Sequence, residues 1–174
     1  MEAGDTSLSS GPTSVVMVVA SSDADIEEVR KLFAEYVGAP DWGPEFAGYL
    51  EQQEFEKEVL TLPGRYASPA GRLLLAKADG NVAGCVAFKP YAPPRICEMK
   101  RLYVRSEFRG MRIGRELVVR LLTEARECGY REMRLDTLPA MKVAQQLYRS
   151  LGFVDIPPYC ENPIAGSVFL EKSL

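Results

Sequence analysis

The stretch LYVRSEFRGMRIGRELV, residues 102–118, decides how this chain is read. A short apolar run gives way to a loop with Arg105, Arg109 and Arg112, and then to a periodic pattern. Gly110 and Gly114 stand four apart within it. Ile113, Leu117, Val118, Leu121, Leu122 and Ala125 share one helical face, and Gly129 stops the helix they predict. A helix start leaves backbone N–H groups unpaired and carries partial positive charge. No proline lies between Arg109 and Arg115, so every amide there is available to an oxygen. The glycines allow a tight turn or close approach to a ligand, which suits a phosphate. The dipole alone contributes only about 0.3–1 kcal/mol when exposed, so amides and arginines have to act together. The GK[ST] ending of a P-loop is missing, and the glycine spacing is not GxGxxG.

The surrounding charge points the same way. Residues 100–120 hold seven basic side chains (Lys100, Arg101, Arg105, Arg109, Arg112, Arg115, Arg120) against two acidic ones, a segment of +5 in a 174-residue chain of net −3, so the remainder is −8. Positive charge concentrated in an acidic protein suits an anionic ligand; a solvated helix face gives the same pattern. The overall balance argues against a nucleic-acid coat. There is no histidine, which removes a His-based triad and most zinc sites, so no metal is expected. The four cysteines (Cys85, Cys97, Cys128, Cys160) form no CxxC pair and read as reduced, buried small residues. No signal-peptide pattern and no run approaching about 20 apolar residues is present, so a cytoplasmic protein without membrane contact is expected.

Outward from the opening stretch, residues 1–12 read as a loose tail and 13–174 as one domain. TSVVMVVA (13–20) predicts a strand, and Ser22 with Asp25 a capping box before a helix. A second helix is expected over 45–60. Residues 72–91 predict two strands joined at Asp79-Gly80, 95–104 a third in which apolar and polar residues interleave, and 131–137 another. Pro139 precedes a helix with Ala144, Leu147, Tyr148 and Leu151 on one face, which Gly152 ends. FVDI and SVFLEKS close the chain as strands. The order predicts a mixed α/β, α+β-like fold whose sheet is antiparallel first and has crossover helices later.

LYVRSEFRGMRIG resembles the pyrophosphate loop of the GNAT N-acetyltransferase superfamily, [QR]-x-x-[GA]-x-[GA], with Arg109 in the first place and Gly114 in the last. AQQLYRSLGF resembles the A-x-x-L-Y-x-x-x-G-F run on that family's next helix. The likeness is firmest over residues 72–155. Arg112 stands where Gly or Ala is usual, and Met141 where many members carry Asn. The resemblance implies the GNAT fold: a central, mostly antiparallel, splayed sheet with helices on both faces and a bulge in the fourth strand. It also implies acetyl-CoA as co-substrate. The amides of Gly110, Met111, Arg112, Ile113, Gly114 and Arg115 would hold the pyrophosphate with Arg109. The backbone of Leu102, Tyr103 and Val104 would meet the pantetheine arm, with an amide of 101–104 as oxyanion donor.

Transfer to an amine needs a deprotonated nucleophile and a stabilised leaving thiolate. Near pH 7 only about one lysine-like amine in a thousand is neutral. Glu98, on the strand leading into the loop, is the candidate base, by likeness to histone-type members; a strand glutamate paired with Lys100 or Arg101 is the other reading. Tyr148 matches the family tyrosine that faces the CoA sulfur, though its position also suits a core aromatic. Cys97 beside Glu98 would allow an acyl-cysteine route, but no histidine is there to activate it. For the acceptor, Trp42, Tyr159 and Asn162 are candidates, among early aromatics that include Phe46, Tyr49 and Phe55. The expected activity is direct acetyl transfer to a primary amine of a small molecule or amino acid, by a monomer or homodimer. A protein lysine or N-terminus as acceptor, or a non-catalytic acyl-CoA binding module, are the alternatives.

Overall fold

A computed structural model describes residues 13–39 and 45–174, without the side chain of Gln52. The tail expected at 1–12 and the candidate Trp42 lie outside these residues. The elements run β1 (Val15–Val19), α1 (Asp23–Gly38), α2 (Glu45–Gln52), α3 (Phe55–Leu60), β2 (Arg72–Ala78), β3 (Asn81–Tyr91), β4 (Ile96–Val104), α4 (Ile113–Glu127), β5 (Glu132–Thr137), α5 (Lys142–Ser150), β6 (Val154–Asp155) and β7 (Val168–Ser173). Seven strands form one open sheet in the order β1-β2-β3-β4-β5-β7-β6. Every neighbouring pair is antiparallel except β4–β5, which α4 connects as a parallel crossover.

The continuous apolar run of β2 follows from burial on both sides. Leu73 and Leu75 pack with Ile26, Val29, Leu32 and Phe33 of α1, while Leu74 and Ala76 pack with Leu117, Leu121 and Ala125 of α4. Each such side chain contributes about 1.5–3 kcal/mol when fully buried. α1 is capped as its sequence predicts: Ser22 Oγ accepts from the Asp25 N–H at 3.2 Å. The helix expected over 45–60 is two helices. Glu54 breaks it in a left-handed conformation (φ +54). The break brings Gln53 and Glu58 together on the buried Arg101 guanidinium, at 2.9 Å from Gln53 Oε1 and 2.8 Å from Glu58 Oε1.

Two irregularities in β4 make the site. First, its parallel ladder with β5 joins only Ile96–Glu98 to Glu132–Arg134, after which the strands part. Second, β4 bulges at Arg101 (φ +61): β3 pairing steps from Ala87↔Lys100 to Cys85↔Tyr103, so Val86 opposes both Arg101 and Leu102. The extra residue breaks the alternation of faces. Met99, Leu102 and Val104 join the α4 side, whereas Arg101 turns to α3, the side to which Tyr103 also packs. Gly84 makes the close approach possible, since a Cβ there would strike the Tyr103 carbonyl oxygen and lie 3.1 Å from Val104 Cα. Among the described residues no helix is long and apolar enough to cross a membrane.

Candidate active site

The parted strands open a cavity of about 650 Å³ that runs between the two faces of the sheet. Its walls are β4 from Met99 to Val104, the turn and first residues of α4, residues Leu135 to Leu138 at the end of β5, α5 up to Tyr148, and Tyr36 and Tyr49. Leu102, Tyr103, Val104, Arg109, Gly110, Arg112, Ile113 and Gly114 all line it. Met111 packs on the core instead, and Arg115 reaches Ser150 Oγ at 3.3 Å.

The turn into α4 is built from local conformations. A short 3-10 turn, Ser106–Phe108, is followed by Gly110 at φ +84 and Arg112 at φ +62. Arg112 is the N-cap, yet no side chain caps the helix. Among the described residues, the amides of Gly110 to Arg115 donate to no protein oxygen; the first amide engaged is Glu116, to the Arg112 carbonyl at 3.1 Å. A run of free amides in this geometry is an anion-binding concavity. Further along the wall, Arg105 N–H bonds Ala83 O at 2.9 Å. Tyr103 pairs with Cys85 in the same register, so by alternation Leu102 and Val104 turn their backbone groups away from β3 and into the gap.

The basic cluster is not the uniform field its sequence suggests. Lys100 lies 2.8 Å from Asp136, Arg101 pairs with Glu58, Arg105 Nη2 is 2.7 Å from Glu35, and Arg120 Nη2 is 2.7 Å from Glu124. Arg109, Arg112 and Arg115 are the ones left around the turn. Lys100, Arg101 and Arg105 are each matched by a carboxylate, as a charge drawn out of water requires.

Tyr148 is held by the end of its own helix. Phe153 N–H bonds the Tyr148 carbonyl at 3.1 Å and Gly152 N–H bonds that of Arg149 at 3.0 Å, with Gly152 at φ +88. This is a Schellman cap, and its apolar contact is the Phe153 ring, 5.8 Å from that of Tyr148. The LYRSLGF sequence is therefore a device for fixing one phenol. Tyr148 is buried and lines the cavity, and its hydroxyl makes no hydrogen bond among the described residues. No fully enclosed side-chain oxygen or nitrogen there lacks a partner, so this hydroxyl is the part open to the cavity. Burial, with Tyr36 and Asp136 adding, pushes its pKa above the usual phenol value.

Glu98 is buried but does not line the cavity. Lys89 Nζ lies 2.9 Å and Lys100 Nζ 3.1 Å from its carboxylate, and Tyr159 donates its hydroxyl at 2.9 Å. Burial acts to raise its pKa, but Lys100 and Lys89 outweigh it and hold the carboxyl below its ordinary value. Tyr159 packs edge-on against Tyr91 and Phe169, and Asn162 Nδ2 donates to Asp136 Oδ2 at 2.9 Å. Neither lines the cavity; both act on it through Lys100 and Asp136. Cys97 is fully buried toward the α4 core, its thiol pushed up to about 12 by desolvation, which makes it no nucleophile.

Sequence reasoning missed the group that these residues surround. Lys100 Nζ donates to Asp136 Oδ1, and Tyr49 donates its hydroxyl to Asp136 Oδ2. Lys100, Asp136, Tyr49 and Tyr36 all line the cavity on the α1–α2 side, opposite the free amides. One signal was present: the adjacent Lys100 and Arg101 break the alternation of an otherwise regular strand, as a bulge does. Among the described residues no His, Cys, Asp and Glu cluster could hold a metal ion.

Comparison with known proteins agrees with this geometry. The sequence profile of the Acetyltransferase (GNAT) family matches residues 28–153. An uncharacterised N-acetyltransferase of Schizosaccharomyces pombe is 35% identical over 164 residues, covering 94% of this chain and 97% of that one. An IAA acetyltransferase of Azospirillum brasilense is 37% identical over 111 residues, 62% of this chain and 71% of its own. In fold, the chain is similar to the paiA N-acetyltransferase of Thermoplasma acidophilum, solved in complex with coenzyme A. The TM-score is 0.69 at 22% identity, over 92% of this chain and 99% of that one.

Proposed function

This chain belongs to the Acetyltransferase (GNAT) family of acyltransferases, and from that premise we propose that it transfers the acetyl group of acetyl-CoA directly to the primary amine of a small molecule or amino acid. The observation that carries this reading is a single cavity with two chemically distinct ends. One end has the free amides of Gly110 to Arg115 and the open hydroxyl of Tyr148; the other has a buried, charged, aromatic pocket. The coenzyme A complex of the Thermoplasma acidophilum neighbour supports the choice of donor.

The residues fit a diphosphate-bearing thioester. The turn amides, with Arg109 and Arg112 at its mouth, suit the diphosphate, and the gap-facing backbone of Leu102 and Val104 suits an amide-bearing arm laid alongside β4. The bound donor supplies an activated carbonyl carbon. The amine nitrogen bonds to that carbon, the carbon–sulfur bond breaks, and the amine's proton passes to water. Tyr148 donates a hydrogen bond to the departing sulfur. Even at ordinary values, full proton transfer from a phenol to a thiolate is uphill by about 2 kcal/mol, and the raised pKa of Tyr148 steepens that. Its contribution is therefore hydrogen bonding in the transition state. For Glu98 the geometry favours a positioning role: it holds Lys100 from behind, out of reach of the acceptor.

A small acceptor is favoured over a protein lysine because aromatic side chains wall the acceptor end: Tyr36 of α1 and Tyr49 of α2 line it, and Tyr49 is tied to Asp136. Titration calorimetry with CoA, followed by thiol release from acetyl-CoA over an amine panel, tests the reading. Micromolar binding and amine-dependent thiol release are expected. No heat with CoA would overturn it, and tight CoA binding without turnover on any amine would leave the binding module instead.

A further inference from the structure

The acceptor end of the cavity holds a fixed pair of opposite charges, and their arrangement selects a ligand. Lys100 and Asp136 are both cavity-lining and both nearly enclosed, with side-chain exposures of 10% and 2%. Asp136 accepts from Lys100, Tyr49 and Asn162, which pin it from three elements. Lys100 is pinned less completely. An ammonium has three donors; one bonds Asp136 at 2.8 Å and a second lies 3.1 Å from Glu98. No further acceptor meets it among the described residues, so a donor of this buried cation remains for the cavity it lines.

The charges around it balance. Lys100 and Lys89 face Glu98 and Asp136, and Arg101 is matched by Glu58. A lone anion or a lone cation entering this pocket would unbalance it in a poorly solvated space. A zwitterion would not: its two charges are complementary to Lys100 and Asp136 taken together. The placement of the groups also fits transfer: Asp136, on which Lys100 is held, lines the same cavity as the open hydroxyl of Tyr148, so an amine beside Asp136 shares that space with the phenol.

We infer that the acceptor is a free amino acid, whose carboxylate bonds Lys100 and whose amino group is drawn by Asp136 toward Tyr148. This rests on the acetyltransferase reading and narrows its substrate class. Lys100 is then the residue that sets specificity, with Glu98, Tyr159 and Asn162 as positioning residues that keep the pair in place.

The test is thiol release from acetyl-CoA by the wild-type protein with matched acceptors: each standard amino acid, its primary amide, and a tripeptide beginning with the same residue. The amine of the amide is the less basic, so it presents more free base and biases the comparison against the inference. A kcat/KM at least about tenfold higher for the best acid than for its amide and tripeptide, carried in KM, is the expected result. Equal or better use of the amide or the peptide overturns it. Lys100→Met removes the counter-charge of two buried carboxylates and endangers the fold. Lys100→Arg keeps the charge, and the acid preference should persist in it with an altered KM; loss of that preference in a folded, CoA-binding Lys100→Arg protein also counts against the inference. If no acceptor of any kind releases thiol, the transfer reading fails. Calorimetry of the same matched pairs on the CoA-bound protein then decides: tighter binding of the acid upholds the role of Lys100, and equal or absent binding overturns it.

Discussion

Replacing Tyr148 by Phe removes a hydroxyl that no protein group among the described residues uses, while keeping the ring that packs on Phe153. Thermal stability and CoA affinity should stay near wild type and kcat should fall about 100-fold, measured by thiol release alongside calorimetry. Arg112 makes the opposite case. It holds a left-handed backbone (φ +62) that costs a side-chain-bearing residue about 1–2 kcal/mol and that glycine adopts freely. Arg112→Gly relieves the strain but loosens the unfolded chain, so a net gain of about 0.5–1 kcal/mol is expected, read as a melting temperature higher by a few degrees. The same change should weaken CoA binding several-fold if the guanidinium meets phosphate. The places of Gly110 in the turn, Gly114 in the first turn of α4 and Tyr148 before its Gly152 cap were legible because they depend on neighbours within about one helical turn or cap. The pairing of Lys100 with Asp136 was not: the broken alternation at Lys100 and Arg101 marks a bulge and names no partner, and nothing near Asp136 distinguishes it from a solvated strand charge.

At the scale of elements, β4 is the decisive strand. Its bulge turns Arg101 to the α3 side, where Glu58 meets it, and leaves Leu102 and Val104 facing the gap. Gly84 on β3 is the counterpart of that bulge, because its missing side chain accommodates the Tyr103 carbonyl. Gly84→Ala should lower stability by about 1–3 kcal/mol in denaturant titrations. It should also weaken CoA binding, because the strand that has to move is the cavity wall. The early helices show where periodicity reached its limit. One pattern over 45–60 was compatible with a single helix, but Arg101, 43 residues from Glu58, recruits side chains on both sides of Glu54 and bends the segment there. A partner so distant in sequence leaves no trace in a local hydrophobic repeat.

For the whole molecule, the buried charges set a pH window. Glu98, Asp136 and Glu124 are each held below their ordinary pKa, Glu98 and Asp136 chiefly by Lys100 and Glu124 by Arg120 and Arg72, against burial. A depressed carboxyl contributes stability above its unfolded pKa of about 4 and loses it as pH falls through the folded value. Burial pushes Tyr148, Tyr49 and Tyr66 the other way, so their contribution is complete below about 10 and declines above it. Melting temperature against pH should therefore show a plateau from about pH 5 to 9.5 with a fall on both sides; a maximum confined to one end would contradict the buried cluster. By itself the sequence determined the succession of strands and helices apart from the break at Glu54, the two glycine-ended helices, the turn of free amides and the capped end of the helix that carries Tyr148, because each arises from contacts between residues close in the chain. Only the tertiary structure decided which cations are left at the cavity and which face carboxylates, where the sheet parts, and that Lys100 and Asp136, 36 residues apart, share one cavity. Charge pairing and strand divergence are properties of distance in space, and a parallel crossover brings those distances about without marking them in the order of residues.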